Sequence, residues 1–326
     1  MIPGSNVSEQ ARTPCEWIPL SWAKAFSPTI GWLVFFRALQ GLSTGAGIVV
    51  SRAVIRDMFP PEEAQRMMSQ VTIYFGVAPA LAREFTLVMT DLRGYGDSSK
   101  PAGLPDHSNY AKRAMAADQV QVMRSLGFHR FAIVAHDRGA RVAHRLAMDH
   151  TEGVERLVLL DIAPTLAMYE QTSMAFATAY FHWFWHIQPA PLPERLIGGD
   201  AAFYLKSLMG GRHAGLAPFA PEALAEYLRC IANPDTVHAI CEDYRASATI
   251  DLEHDRADRS AGRLLQCPTL VLWGRHGVIE RCFDPLAEWR RVAARVSGRA
   301  LDCGHYIAEE APEALLAELR SFLAHD

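Results

Sequence analysis

No two of the six cysteines, Cys15, Cys230, Cys241, Cys267, Cys282 and Cys303, have the Cys-x-x-Cys spacing. That excludes a zinc ribbon and a disulfide scaffold, and it fits a reducing, cytoplasmic setting. There is no excess of positive charge: the formal net charge is −4. A nucleic-acid partner is therefore not expected. The start of the chain has no basic segment followed by an apolar run and a cleavage site, so no secretory leader is expected. No internal repeat is visible. No histidine precedes His107, which matters below.

What is present is a globular composition, 50% hydrophobic and 21% charged over 326 residues, enough for a sizeable core. From about residue 83 onward, short apolar runs alternate with amphipathic ones. "FTLVMTD" (85–91), "RFAIVAH" (130–136), "RLVLLD" (156–161), "PTLVLWG" (268–274) and "GRALD" (298–302) read as parallel strands. Residues 111–126, 138–150, 283–295 and 312–324 read as helices. Such alternation implies a doubly wound α/β sheet. Strands stop between Ala163 and His254, a stretch rich in aromatics and proline. We expect an α/β core at 81–165 and 255–326, with a helical cap inserted at 166–254.

Residues 1–80 have a different character. "IGWLVFFRALQGLSTGAGIVV" (30–50) is about the ~20 residues needed to span a bilayer. Its glycines suit helix packing in lipid. Arg37 is expensive there and favours a buried amphipathic helix instead. On the first reading, residues 29–57 would associate with a membrane.

The chemistry concentrates at "AHDRGAR" (135–141). It lies between an expected strand and an expected helix, with small residues at Ala135 and Gly139 to let the turn pack. This is the context of a nucleophile elbow, with Asp137 as the nucleophile. A carboxylate there attacks carbon by displacement and leaves an ester. An N-cap aspartate would look the same in isolation. His305, in "DCGHYIAEEAPE" (302–313), follows the last expected strand and could activate the water that cleaves the ester. Asp161 is the better candidate to orient His305, with Asp302 and Glu280 weaker. Arg138 and Arg141 share one helix face and grip carboxylates well, so an anionic substrate is expected. In "YFHWFWH" (180–186) and "EDYRAS" (242–247), His182, Trp183 and Tyr244 offer donors in an aromatic wall. They could solvate a departing halide or serve as core packing.

From about residue 78 onward the chain resembles fluoroacetate dehalogenases, the haloacetate-specific branch of the α/β-hydrolase superfamily. The matching text is "DLRGYGDSSKP" (91–101), "VAHDRGARVAHRLA" (134–147), "VLLDIAPT" (158–165), "YFHWFWH", "EDYRASATIDLEHD" (242–255) and "CGHYIAEEAPE" (303–313), in matching order and spacing. The resemblance implies hydrolysis of short 2-haloacids such as fluoroacetate or chloroacetate. It implies Asp137, His305 and Asp161 as the catalytic set, Arg138 and Arg141 as carboxylate binders, and His182, Trp183 and Tyr244 as the halide pocket. No metal or organic cofactor is implied, and a homodimer is. Epoxide hydrolases share the nucleophile and the "RGYG" text but usually place tryptophan after the aspartate. Here Arg138 stands in that position.

Residues 29–80 resemble another family. "FFRALQGLSTGAGIVVSRAVIRDMFPPEEAQRMMSQVTIYFGVAPALA" (35–82) is similar to the fourth helix, the loop and the start of the fifth helix of drug-efflux transporters of the major facilitator superfamily. So small a slice does not imply transport. The two resemblances meet at "VAPALA" (77–82). If the chain is a fusion there, the three strands that precede 85–91 in complete α/β-hydrolases are displaced. So is the "HG" loop that gives one oxyanion N–H, consistent with the missing histidine. Losing one such donor typically costs ~10²–10³ in rate. The alternative expectation is thus a weakly active or inactive fusion product. Either "GIVVSRAVI" (47–55) or "WLVFF" (32–36) could take the slot of the displaced central strand.

Overall fold

The computed structural model describes residues 77–324. The transporter-like segment up to residue 76, with the membrane-association expectation for 29–57 and the two candidate slot-filling runs, lies outside them. No helix among the described residues is long and apolar enough to cross a membrane.

Four parallel strands form one sheet in the order β1-β2-β3-β4: β1 Phe131–His136, β2 Val154–Leu160, β3 Thr269–Gly274 and β4 Val296–Leu301. The apolar runs at β2 and β3 are covered on both faces, as parallel strands require; every residue of β3 is buried. Helix α1 spans Ala78–Leu81, α2 Lys112–Ser125 and α3 Asp137–Asp149. Eight helices fill the chain between β2 and β3 without a strand. They are α4 Thr165–Glu170, α5 Met174–Ala179, α6 Phe181–Trp185, α7 Leu192–Gly199, α8 Ala201–Gly210, α9 Pro221–Ile231, α10 Pro234–Ala248 and α11 Ile250–Ser260. Their starts are written locally. Ser173 and Asp200 accept capping hydrogen bonds from Phe176 and Phe203 amides, and Asn233 caps α10 ahead of Pro234. Helices α12 Val278–Cys282 and α13 Pro285–Arg290 precede β4. Helices α14 Ile307–Glu310 and α15 Pro312–Leu323 follow it.

Three expectations need correcting. Residues 85–91 are not a strand in this sheet. A strand needs a neighbour's N–H and C=O groups, and among the described residues no strand pairs with the outer edge of β1. The same absence leaves β1 half covered, with Val134 40% exposed. Second, no close approach among the described residues calls for a small side chain at Gly139: a Cβ there meets none of them within 4 Å. Third, the helix expected at 283–295 is only Pro285–Arg290. Asp284 caps its start, and residues 292–294 leave it to bridge Leu265.

The carboxyl ends of all four strands open on the same side. Ligands of open α/β sheets bind there, and the loops carrying Asp137, Asp161, Gly274 and His305 all start there.

Candidate active site

Asp137 directly follows β1 and begins α3 with φ +43°. Asp161 directly follows β2 with φ +49°. Non-glycine residues resist this left-handed region, at about 1–3 kcal/mol each, and where they adopt it the surroundings hold them. Each tight turn lifts its carboxylate above the sheet edge. Asp161 is held hard. Its Oδ1 accepts from the Gly274 amide at 2.9 Å, and its Oδ2 lies 2.6 Å from His305 Nδ1. The bond to Asp161 leaves His305 Nε2 facing Asp137, 3.9 Å from Oδ2. Asp161 is 1% exposed and His305 6%, while a third of the Asp137 side chain is open. Of the other acids considered for His305, Glu280 bonds the Trp273 indole and Asp302 bonds His276.

The electrostatics follow from this arrangement. Burial pushes the His305 imidazole down, but the nearby Asp137 carboxylate, the hydrogen bond to Asp161 and the charges of both outweigh it and bring it up to about 9. Burial would raise Asp137, but His305 holds it well below the usual carboxylate range. His136 is different. Burial, then the His305 charge, lowers it to about 4, and its Nε2 donates to the His305 carbonyl at 2.9 Å. It thereby fixes the loop that carries His305.

The two arginines are buried but not equivalent. Arg138 Nε lies 2.7 Å from Asp243 Oδ2, and its Nη2 bonds the Asp243 carbonyl and Ser247 Oγ. Asp243, on α10 and fully buried, also pairs with Lys112 and accepts from Tyr95 Oη at 2.6 Å. Lys112 reaches Asp251 as well. Arg138 is thus neutralised within the protein. Arg141 bonds the Ala163 carbonyl and Thr165 Oγ1 and touches Met168 Sδ, all uncharged. Among the described residues no carboxylate lies within ion-pair distance of it. Burial and the Arg138 charge push its pKa down. Each arginine keeps one buried nitrogen without a partner among the described residues: Nη1 of Arg138 and Nε of Arg141.

The aromatic residues of the insertion close over these groups. The Arg138 guanidinium lies 4.0 Å over the Tyr244 ring and that of Arg141 4.5 Å over Trp183. His182 sits 5.9 Å from Tyr244 and Trp183 6.1 Å from it. The His182 Nδ1 is buried with no partner among the described residues. Burial, then the charge of Arg212, holds this ring well below the usual imidazole value. All eight residues singled out in the sequence therefore converge on one place. The arrangement offers a partly open carboxylate, a charged imidazole behind it, a buried cation with no carboxylate within ion-pair distance among the described residues, and unmet donors under an aromatic roof. No group of three or more metal-ligating side chains occurs among the described residues.

Sequence reasoning missed Asp243, Lys112 and Tyr95, which hold Arg138, and Tyr180 and Arg212, which flank the roof. Tyr95 lies in the "RGYG" text and Asp243 in "EDYRAS", yet neither run announces its partner.

Residues 69–312 match the family described as the alpha/beta hydrolase fold. The chain belongs to that family. This α/β hydrolase is 46% identical to a fluoroacetate dehalogenase of Burkholderia sp. over 249 residues, covering 76% of this chain and 81% of that one. It is 31% identical to a soluble epoxide hydrolase of Corynebacterium sp. (strain C12), covering 76% and 84%. Among solved structures, an alpha/beta hydrolase described from Nostoc sp. PCC 7120 superposes with a TM-score of 0.75 at 55% identity. That match covers 77% of this chain and 85% of the other.

Proposed function

We propose that the chain hydrolyses short 2-haloacids such as fluoroacetate or chloroacetate. The observation that carries this reading is Arg141, a buried cation beside Asp137 with no carboxylate partner among the described residues. An unpaired buried charge is costly, and a substrate carboxylate relieves it. The free nitrogens of Arg138 and Arg141 would each contribute one grip. The relationship to a fluoroacetate dehalogenase at 46% identity supports the same substrate class.

In this reading an Asp137 oxygen attacks the carbon bearing the halogen. A C–O bond forms as the C–halogen bond breaks, and the electron pair leaves with the halide. His182, Trp183 and Tyr244, on the inserted cap at 166–254, receive it. Esterification removes the Asp137 charge and with it part of what raises His305. His305 then gives up its proton to solvent and, as the neutral imidazole, takes a proton from water, whose oxygen attacks the ester carbonyl. Asp161 keeps the ring oriented and stabilises its charge. The Arg138 amide, at the free N-terminus of α3, faces the oxyanion. The hydroxyacid leaves with the proton, and no cofactor takes part. A homodimer belongs to the proposal, and the exposed Phe181, Leu196 and Phe203 on α6–α8 offer an apolar face for it.

The test is halide release from fluoroacetate and chloroacetate by the purified chain, with Asp137→Asn expected to abolish turnover. Absence of release from the wild-type chain sinks the proposal. Release slowed ~10²–10³-fold relative to related dehalogenases supports the reading of a fusion lacking one oxyanion donor. Epoxide hydrolysis is the remaining alternative, given the 31% identical relative. A neutral epoxide would leave Arg141 uncompensated, and turnover of epoxides but not haloacids would select it.

A further inference from the structure

Tyr180 lies between α5 and α6 and is 3% exposed. Its ring is fully accounted for. Phe176 packs at 5.4 Å, His182 at 5.2 Å and Trp183 at 6.3 Å, and the Arg212 guanidinium lies 4.4 Å over the ring. The His305 ring meets it at 6.3 Å, edge to face. Its hydroxyl is not accounted for: it is buried and finds no hydrogen-bond partner among the described residues. Buried polar groups are normally bonded, so an unmet one calls for an explanation.

A second observation concerns His305, whose ring Tyr180 meets. His305 Nε2 and Asp137 Oδ2 are 3.9 Å apart, too far for a strong direct hydrogen bond. Polar groups at such a separation are commonly bridged by water. The hydrolytic water of the proposed reaction has to reach His305 Nε2 and the Asp137 carboxyl carbon together. His305 alone would fix one of its hydrogen bonds and leave its direction free.

We propose that the Tyr180 hydroxyl is the second ligand of the hydrolytic water that His305 activates. This inference rests on the dehalogenase reading. The hydroxyl accepts one hydrogen of the water while His305 takes the other as the water oxygen bonds to the ester carbon. No proton moves to or from tyrosine. Burial and the charges of Asp161 and Asp137 raise the phenol, against the Arg212 charge, so it stays protonated throughout. Tyr180 thereby acts on the second half of the reaction, whereas His182, Trp183 and Tyr244 act on the first.

Rapid-quench measurement of halide from chloroacetate separates the two halves. In Tyr180→Phe, with its melt unchanged, a first-turnover burst of chloride is expected at the wild-type rate. Steady turnover should then be about tenfold slower or more. The Asp137 ester should accumulate on its peptide by mass spectrometry, as in His305→Gln. Tyr180→Leu gives the same signature if the phenylalanine variant is unstable. A slowed first turnover without ester would place the hydroxyl on the halide and overturn the inference, as would wild-type kinetics in both phases. A wild-type chain that itself releases halide through an Asp137 ester upholds the underlying reading, whatever the variants do. Wild-type inactivity overturns both.

Discussion

Arg138 and Asp243 join the first turn of α3 to helix α10, Nε to Oδ2 at 2.7 Å, with both side chains buried. Asp243 is the shared anion of two cations, Arg138 and Lys112. Replacing it by alanine leaves Arg138 buried without its anion and Lys112 with Asp251 alone. Breaking a buried pair in this way typically costs about 3–5 kcal/mol. Asp243→Ala is therefore expected to lower stability by that order in urea denaturation, and Asp243→Asn, which keeps some hydrogen bonds, by less. Wild-type stability in both variants would show that the network carries no folding energy.

Arg141 predicts the opposite pairing of effects. No carboxylate among the described residues lies within ion-pair distance of it, so Arg141→Met removes a buried cation that the fold has to tolerate. The melting temperature is expected to be equal to or above that of the wild type. Activity on haloacids is expected to fall about a hundredfold or more, mainly through KM, because a buried charge-assisted contact to the substrate is lost. A variant with lowered stability and unchanged KM would assign Arg141 to the scaffold alone.

His305 makes stability depend on pH. Its pKa rises from the ordinary 6.5 to about 9 on folding. A raised pKa contributes fully below the unfolded value, and the contribution fades as pH climbs through the folded one. The gap in melting temperature between the wild type and His305→Gln should be widest below about pH 6.5 and close towards pH 9 and above. At full size it corresponds to about 3 kcal/mol. A gap that does not change with pH would mean that the imidazole is not charged between Asp137 and Asp161.

What the sequence disclosed and what it withheld have separate physical causes. Leu157–Leu160 of β2 and the whole of β3 are buried because both faces are covered there, and the strand limits were readable to within two residues. Asp137, Asp161 and His305 were legible because they occupy loops that follow such runs. The segment at 85–91 has the same apolar look but forms no strand, because strand formation depends on a neighbour and not on composition alone. Asp243, Tyr180 and Arg212 were not legible for a related reason. Their importance comes from what they face across space, and a one-dimensional pattern does not carry that. Tyr180 and Arg212 are 32 positions apart in the chain yet stack on each other.

The ion network around Asp243 also bears on how this chain could be altered by recombination. Lys112 and Arg138 come from α2 and α3, and Asp243, Ser247 and Asp251 from the helices between β2 and β3. Exchanging the insertion for that of a relative without these acids would bury two lysine and arginine charges with nothing to answer them. The insertion is therefore not an interchangeable module, and an exchange has to carry both halves of the network together.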